Sequence, residues 1–472
     1  MPSKRPSVLP TLRPSVLARS LLHGMVSRLR QAAFTVALLL IAAGVARADE
    51  WPQWRGPTRD GVWKEDGLVE SFPAERIEDG KLRRRWQARV GAGYNGPTVA
   101  SGRVFVMDRQ VDPKSTERVL AFSAATGQPL WTFEYDCDYK DVGYTAGPRA
   151  AVSVAEGAIY ALGTMGHLHC LSAATGDVVW KKDLFAEYEI RMPIWGIAAA
   201  PLVDGDRLIV HIGGEKACLV AFDRRTGHEL WRALDDKASY SAPIIIEQAG
   251  KQVLICWTGD SVSGLNPADG SVYWRHPFKP TRMVINIATP VTDGKRLFMT
   301  SFYDGSLMLK LGQDDTTVEQ QWRRLGPDER TTDALHSIIS TPYLDGDYVY
   351  GVDSYGELRC LDAATGDRIW EDRTATPRAR WSNIHMVQNG DRTWVFNERG
   401  ELVIARLTPK KFEEISRAKL IDPTRVQLNQ RSGVCWSHPA YAYKHVFARN
   451  DEQLVCVDLS ADANAEIPPP AK

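Results

Sequence analysis

Eight positions along the 472-residue chain carry side chains able to stack on a ring or hold a polar group: Tyr94, Tyr144, Trp195, Tyr240, Asn286, His336, Trp381 and Trp436. They recur every 45 to 55 residues, and Arg149, Arg191, Arg282, Arg380 and Arg431 lie close by, as do the amides Asn95 and Asn383. Aromatic faces with convergent guanidinium groups can bind an anionic or ring-bearing ligand by stacking and charge-assisted hydrogen bonds. The same side chains can instead plug a channel, with arginine stacked on tryptophan as packing. Other constellations are weaker. His167 and His169 flank Leu168 and share one strand face, but no further ligands join them, so packed or solvated histidines are expected. Asp204 to Asp206 and Asp345 to Asp347 are Asp-Gly-Asp pieces that fit turns better than Ca²⁺ loops, because the other oxygen ligands are missing. No Ser-His-Asp triad and no zinc-spaced His/Cys set stands out.

The elements that position these residues are set by a repeated phrase. It reads L120-A-F-S-A-A-T-G-Q-P-L-W131, L168-H-C-L-S-A-A-T-G-D-V-V-W180, L219-V-A-F-D-R-R-T-G-H-E-L-W231 and L358-R-C-L-D-A-A-T-G-D-R-I-W370. A weaker copy ends at Trp274, and a degenerate one keeps Leu307, Leu309, Leu311 and Trp322. Upstream of each lies a second piece, such as T341-P-Y-L-D-G-D-Y-V-Y350, in which two β-rich runs flank a Gly turn. The Thr-Gly marks another hairpin, since Gly supplies positive φ. Four antiparallel strands per unit of about 45 residues match the blades of a β-propeller. The upstream hairpins begin near Pro97, Pro148, Pro201, Pro243, Pro290, Pro342, His385 and Pro439, so the expected fold is all-β with eight blades. The eighth unit stops without a tryptophan strand. L82-R-R-R-W86-Q-A-R is expected to supply it from the N-terminal side, closing the ring and removing open edges. The seventh unit, L402 to I415, lacks both Thr-Gly and Trp and is expected to be the loosest.

Residues 1–48 hold seven basic and no acidic residues, an apolar run from Ala32 to Ala46, and the small-x-small site Ala46-Arg47-Ala48. That is a secretory signal, with Met25 an alternative start, and it places the mature protein in the periplasm or outside the cell. No transmembrane anchor is expected after cleavage. The full chain balances 58 basic against 58 acidic residues; without the leader 51 face 58, a net charge near −7 that disfavours nucleic acid as a partner. Seven cysteines is an odd count for an exported chain. Cys170, Cys360 and Cys456 occupy one repeat slot in non-adjacent units and read as small buried hydrophobes, as do Cys218 and Cys256 in strand-like runs; Cys137 and Cys435 fall in loops between units.

The pattern A221-F-D-R-R-T-G-H-E-L-W231, nearly repeated at C360 to W370, resembles the tryptophan-docking motif of quinoprotein-like eight-bladed propellers, over residues 81–460. One branch of that family, the pyrroloquinoline quinone (PQQ)-dependent dehydrogenases, implies a flat cofactor cavity, a Ca²⁺ held by carboxylate and amide oxygens, and a carboxylate base. Asn286 and Asn383 are the candidate amides here, Asp333 and Glu189 the candidate carboxylates, and no two cysteines are adjacent to form the disulfide that covers the quinone in many members. The other branch, propellers similar to BamB, implies a non-catalytic scaffold for a protein partner in the cell envelope. That second reading is preferred, with a small ligand or polysaccharide in the central funnel or a PQQ- and calcium-dependent dehydrogenase as alternatives. The opening W51-P-Q-W-R-G-P-T-R-D-G61 resembles the segment before the first blade in exported PQQ-like proteins. It is expected to cap one face of the ring across residues 49–80, and residues 461–472 are expected to be a disordered tail.

Overall fold

The computed structural model describes residues 49–471, and the leader assigned to residues 1–48 lies outside them. Eight sheets are present, with first strands at Thr98–Ala100, Ser153–Ala155, Leu202–Asp204, Ile244–Gln248, Val291–Thr292, Tyr343–Asp345, Ile384–Asn389 and Ala440–Ala442. These open blades one to eight, each a four-stranded antiparallel meander, so the fold is the expected eight-bladed β-propeller. Blade eight is completed by the N-terminal strand Trp86–Arg89, which pairs antiparallel with Gln453–Asp458. The apolar core lies between blades. One cluster joins Tyr160, Leu162 and Leu168 of blade two to Leu208, Val210 and Phe222 of blade three. Among the described residues no helix is long and apolar enough to cross a membrane.

The repeated phrase is an inter-blade dock. The Trp86, Trp131 and Trp180 indoles donate to the carbonyls of Ala124, Ala173 and Arg224 in the next blade, at 2.8, 3.2 and 3.0 Å. Each ring lies over the next blade's Thr-Gly glycine, and a Cβ on Gly127 would stand 2.5 Å from Trp86. Gly127 has φ of +71°, so both its backbone conformation and the ring above it exclude a side chain.

Blade seven differs from expectation. Lys81–Leu82 does not continue the closing strand but pairs in parallel with Phe412–Lys419 of blade seven, and Ile77–Glu78 adds a sixth strand beyond it. Lys81 Nζ reaches Asp422 at 2.5 Å, and the chain crosses to blade eight over residues 83–85. The blade without a docking tryptophan therefore has its outer edge covered by the chain itself. The tail, expected to be disordered, lies against blades one and eight: Ile467 is buried, and Arg103 and Arg85 donate to the carbonyls of Ala471 and Ala465 at 2.6 and 2.8 Å.

All seven cysteines are buried free thiols, and burial pushes their pKa values up, those of Cys170 and Cys360 to about 11. His167 and His169 pack on Tyr135, with ring centroids at 5.4 and 4.4 Å. Gly205 and Gly346 of the two Asp-Gly-Asp pieces sit at positive φ in hairpin turns.

Candidate functional site: an aromatic channel closed at one end

Loops before the first strands, and the turn holding Tyr303, surround a central cavity of about 350 Å³. Of the fifteen side chains that the sequence brings together, Tyr94, Tyr144, Arg149, Trp195, Tyr240, Arg380, Trp381 and Trp436 line it. Tyr144 is the hub, with centroids 5.8 Å from Trp195 and 6.3 Å from both Trp381 and Trp436, rings contributed by blades three, seven and eight. Trp195 and Tyr240 approach to 5.1 Å. Tyr144 and Trp381 both hold positive φ, +56° and +69°, a conformation that bulky side chains rarely adopt and that a rigid surround must enforce.

The other seven do not line the cavity, Arg431 among them, which pairs with Glu398. Asn95 is fully buried and ties Met107 N and O to itself at 3.1 and 2.8 Å. Asn286 donates to Thr258 O at 2.8 Å, while its neighbours Ile285 and Ile287 take the cavity side. His336 is locked between Phe302 O at 3.0 Å and Gly326 N at 3.1 Å, leaving Ile338 and Ile339 as blade six's contribution. Asn383 is buried with neither amide atom hydrogen-bonded. Arg191 lines a separate polar groove with Glu189, Asp235 and Lys237 that meets the channel at Tyr240 and Met283. Arg282 rests on the outer side of Tyr303, 4.9 Å from its ring.

The sequence placed Trp54, with Trp51 and Trp63, in a cap on one face of the ring but not in the channel itself. The N-terminal segment bridges blade one at Trp51–Val99 and blade seven at Val62–Gln388, and between them Trp54 rises into the channel. The Trp54 indole donates to Thr289 Oγ1 at 2.8 Å and meets His438 edge-on at 4.5 Å. Arg59, 4% exposed, donates to the carbonyls of Ala200, Pro201 and Pro243, tying the segment to blades three and four. Only the W51-P-Q-W54 pair signalled such a role. Tyr303 belongs to no repeated phrase and left no signal.

The floor histidines are buried and neutral. Desolvation, then the neighbouring His385 and Arg55, holds His438 down to about 3, and desolvation together with Arg55 holds His385 at about 4. A histidine whose folded pKa is depressed contributes stability that is full above its ordinary 6.5 and is lost as pH falls toward the folded value. The protein is therefore expected to lose melting temperature between pH 7 and 4.5, and the double variant His385→Gln, His438→Gln to lose less over that window. Identical slopes in paired thermal melts would show that these histidines are not held neutral.

The comparisons with known proteins meet this geometry. A family model described as outer membrane protein assembly factor BamB matches residues 115–372 and 217–465. The chain belongs to this family of PQQ-like propellers. The BamB of Shewanella oneidensis is 23% identical over 226 residues, 47% of this chain and 56% of that protein. The chain spans about half the length of the curated relatives it matches. The crystal structure of BamB from Moraxella catarrhalis superposes with a TM-score of 0.54 at 14% identity, covering 79% of this chain and 98% of that one. The quinohemoprotein alcohol dehydrogenase of Comamonas testosteroni gives 0.60 at 14% identity, covering 91% and 83%. At such identities these structures establish the shared fold.

The dehydrogenase likeness raises PQQ and Ca²⁺, and the channel lining of this BamB-family propeller does not fit the calcium ion or its carboxylate base. No Asp or Glu lines the described channel, so it offers neither carboxylate ligands for the ion nor a carboxylate base. Glu329 and Glu398 stand behind the wall, held by Arg380 and Arg431 at 2.7 Å. Asp333 is paired with Arg324 at 2.7 Å, and Glu189 faces the polar groove. Among the described residues no group of three His, Cys, Asp or Glu side chains is placed to hold a metal.

Proposed function

We propose that this propeller is a non-catalytic binding scaffold of the cell envelope, exported to the periplasm or beyond, with the channel and the loops around it as its binding face. The observation that carries this reading is a one-ended, tryptophan- and tyrosine-walled channel whose lining holds no carboxylate. The rigid ring fixes the loops, and loops on a rigid scaffold are a common way to build a recognition surface. Membership of a family whose model is described as an outer membrane protein assembly factor supports a protein partner on that face, and the shape of the channel supports a small ligand within it. A quinoprotein dehydrogenase is the competing function, and titration with PQQ in the presence and absence of Ca²⁺ separates the two. The expected result is no calcium-dependent rise in melting temperature and no dye reduction with alcohols. A calcium-dependent rise with turnover would overturn the scaffold reading.

A further inference from the structure

The channel's polar groups are mostly donors, and its charge is of one sign. Its ionic residues are Arg149 and Arg380. Arg380 is neutralised by Glu329, whose two oxygens it engages at 2.7 and 2.8 Å. Arg149 forms no ion pair among the described residues: its guanidinium donates to the neutral oxygens of Gly143, Tyr144, Gly147 and Thr164 at 2.7, 2.5, 2.6 and 3.1 Å. These bonds fix it at the rim, 5.2 Å from the Tyr94 ring and half-buried, with no carboxylate in ion-pair contact; the buried Glu117 reaches it only through Tyr139 and Thr164 Oγ1. Below the rim the wall turns apolar. Ile285, Ile287, Ile338, Ala200 and Ala242 descend to the Trp54 floor.

We infer that the channel takes an amphiphile with an anionic head, the head at Arg149 and the apolar body against the isoleucines and the floor. This deepens the proposal that the channel is a binding site and rests on it. A partly desolvated guanidinium with no carboxylate in ion-pair contact favours an anion, and a charge-assisted hydrogen bond to its Nε–H, the one donor that the four bonds above leave unpartnered among the described residues, is about twice as strong as a neutral one. A cationic ligand meets the same charge with the opposite sign, despite the aromatic wall. Saccharides fit poorly, because the lining contains no Asn, Gln, Asp or Glu to satisfy their hydroxyls. A cavity of about 350 Å³ is at the lower end of known small-molecule sites, which suits a single medium-length chain.

Decanoate, decan-1-ol and decyltrimethylammonium, titrated into the purified protein below their micelle concentrations, test this through tryptophan fluorescence and calorimetry. Decanoate is expected to bind saturably and about tenfold or more tighter than either of the others, the difference one hydrogen-bonded charge makes. Arg149→Leu is expected to erase that preference while leaving decan-1-ol binding in place. Arg149→Lys, which keeps the charge, is expected to retain it, and this second variant decides the matter if the leucine variant melts early. Equal binding of decan-1-ol, or a preference for the ammonium, would overturn the anionic head while leaving the channel a ligand site. No binding of any of the three by folded protein would overturn both this inference and the channel as a small-ligand site.

Discussion

Deleting Trp86–Arg89 is expected to abolish cooperative folding. This strand is the outer edge of blade eight, with Trp86 opposite Cys456 and Arg89 opposite Gln453, and it is the covalent reason that the first and last parts of the ring stay together. Its tryptophan is 8% exposed, lies over Gly127 and donates to Ala124 of blade one. Truncating a buried tryptophan alone costs about 3–5 kcal/mol, and a domain holds only about 5–15 kcal/mol in total. Loss of the whole strand also leaves the Gln453–Asp458 edge unpaired. Beside it, fully buried Arg449 of blade eight donates to Met107 O of blade one at 2.8 Å, a contact that needs the two blades in register. Calorimetry should show a broad, low-enthalpy transition for the deletion and a sharp but lowered one for Trp86→Ala. A sharp transition near the wild-type temperature for the deletion would sink the closure argument. The deletion is confined to these four residues because Lys81–Leu82 serves blade seven instead.

The ring was legible because its determinants are local and repeated. Each Thr-Gly turn and each tryptophan four residues on is a short-range signal, and the inter-blade dock they form needs no knowledge of the rest of the fold. What repeats is the blade, and for segments that do not repeat the detailed contacts escaped. The short strand at Lys81–Leu82 could not be assigned to blade seven, because Leu82 precedes Trp86 closely enough to pass as the same strand. Tyr144, Trp195 and Trp381 line the cavity because a large ring must point somewhere and the centre is the open direction. Elsewhere alternation decides: Asn286 sits between Ile285 and Ile287, and the isoleucines, not the amide, face the cavity. His336 was claimed by two backbone groups, Phe302 O in a turn of blade five and Gly326 N in the loop that leaves it, that no spacing rule could reveal. The Trp54 floor comes from a unique segment folded back onto the ring, so its place depends on contacts more than 200 residues away in sequence.

Replacing Arg59 by leucine is expected to destabilise the protein by several kcal/mol and to open the channel floor. The guanidinium is 4% exposed and among the described residues no carboxylate pairs with it, so desolvation lowers its pKa to about 9. It stays in place because it satisfies the carbonyls of Ala200, Pro201 and Pro243 together with Gln53 Oε1. Leucine fills part of the volume but leaves the Ala200 and Pro243 carbonyls without a donor and Pro201 O with Ser153 Oγ alone, and each unsatisfied group costs about 1–3 kcal/mol. The loss also has a direction. Arg59 anchors the segment to blades three and four, while Trp54 is held by Thr289 Oγ1 and by packing on His438. Freed on one side, the segment no longer fixes Trp54 in the channel, and the apolar end of the cavity meets water. Two readouts separate this from simple destabilisation. Trp54→Ala, which keeps Arg59 and its carbonyls, is expected to weaken binding of an apolar ligand in the channel with a smaller change in melting temperature. Arg59→Leu is expected to lower both. If Trp54→Ala leaves binding unchanged, the floor is packing alone and the ligand seat lies nearer the Tyr144 rim.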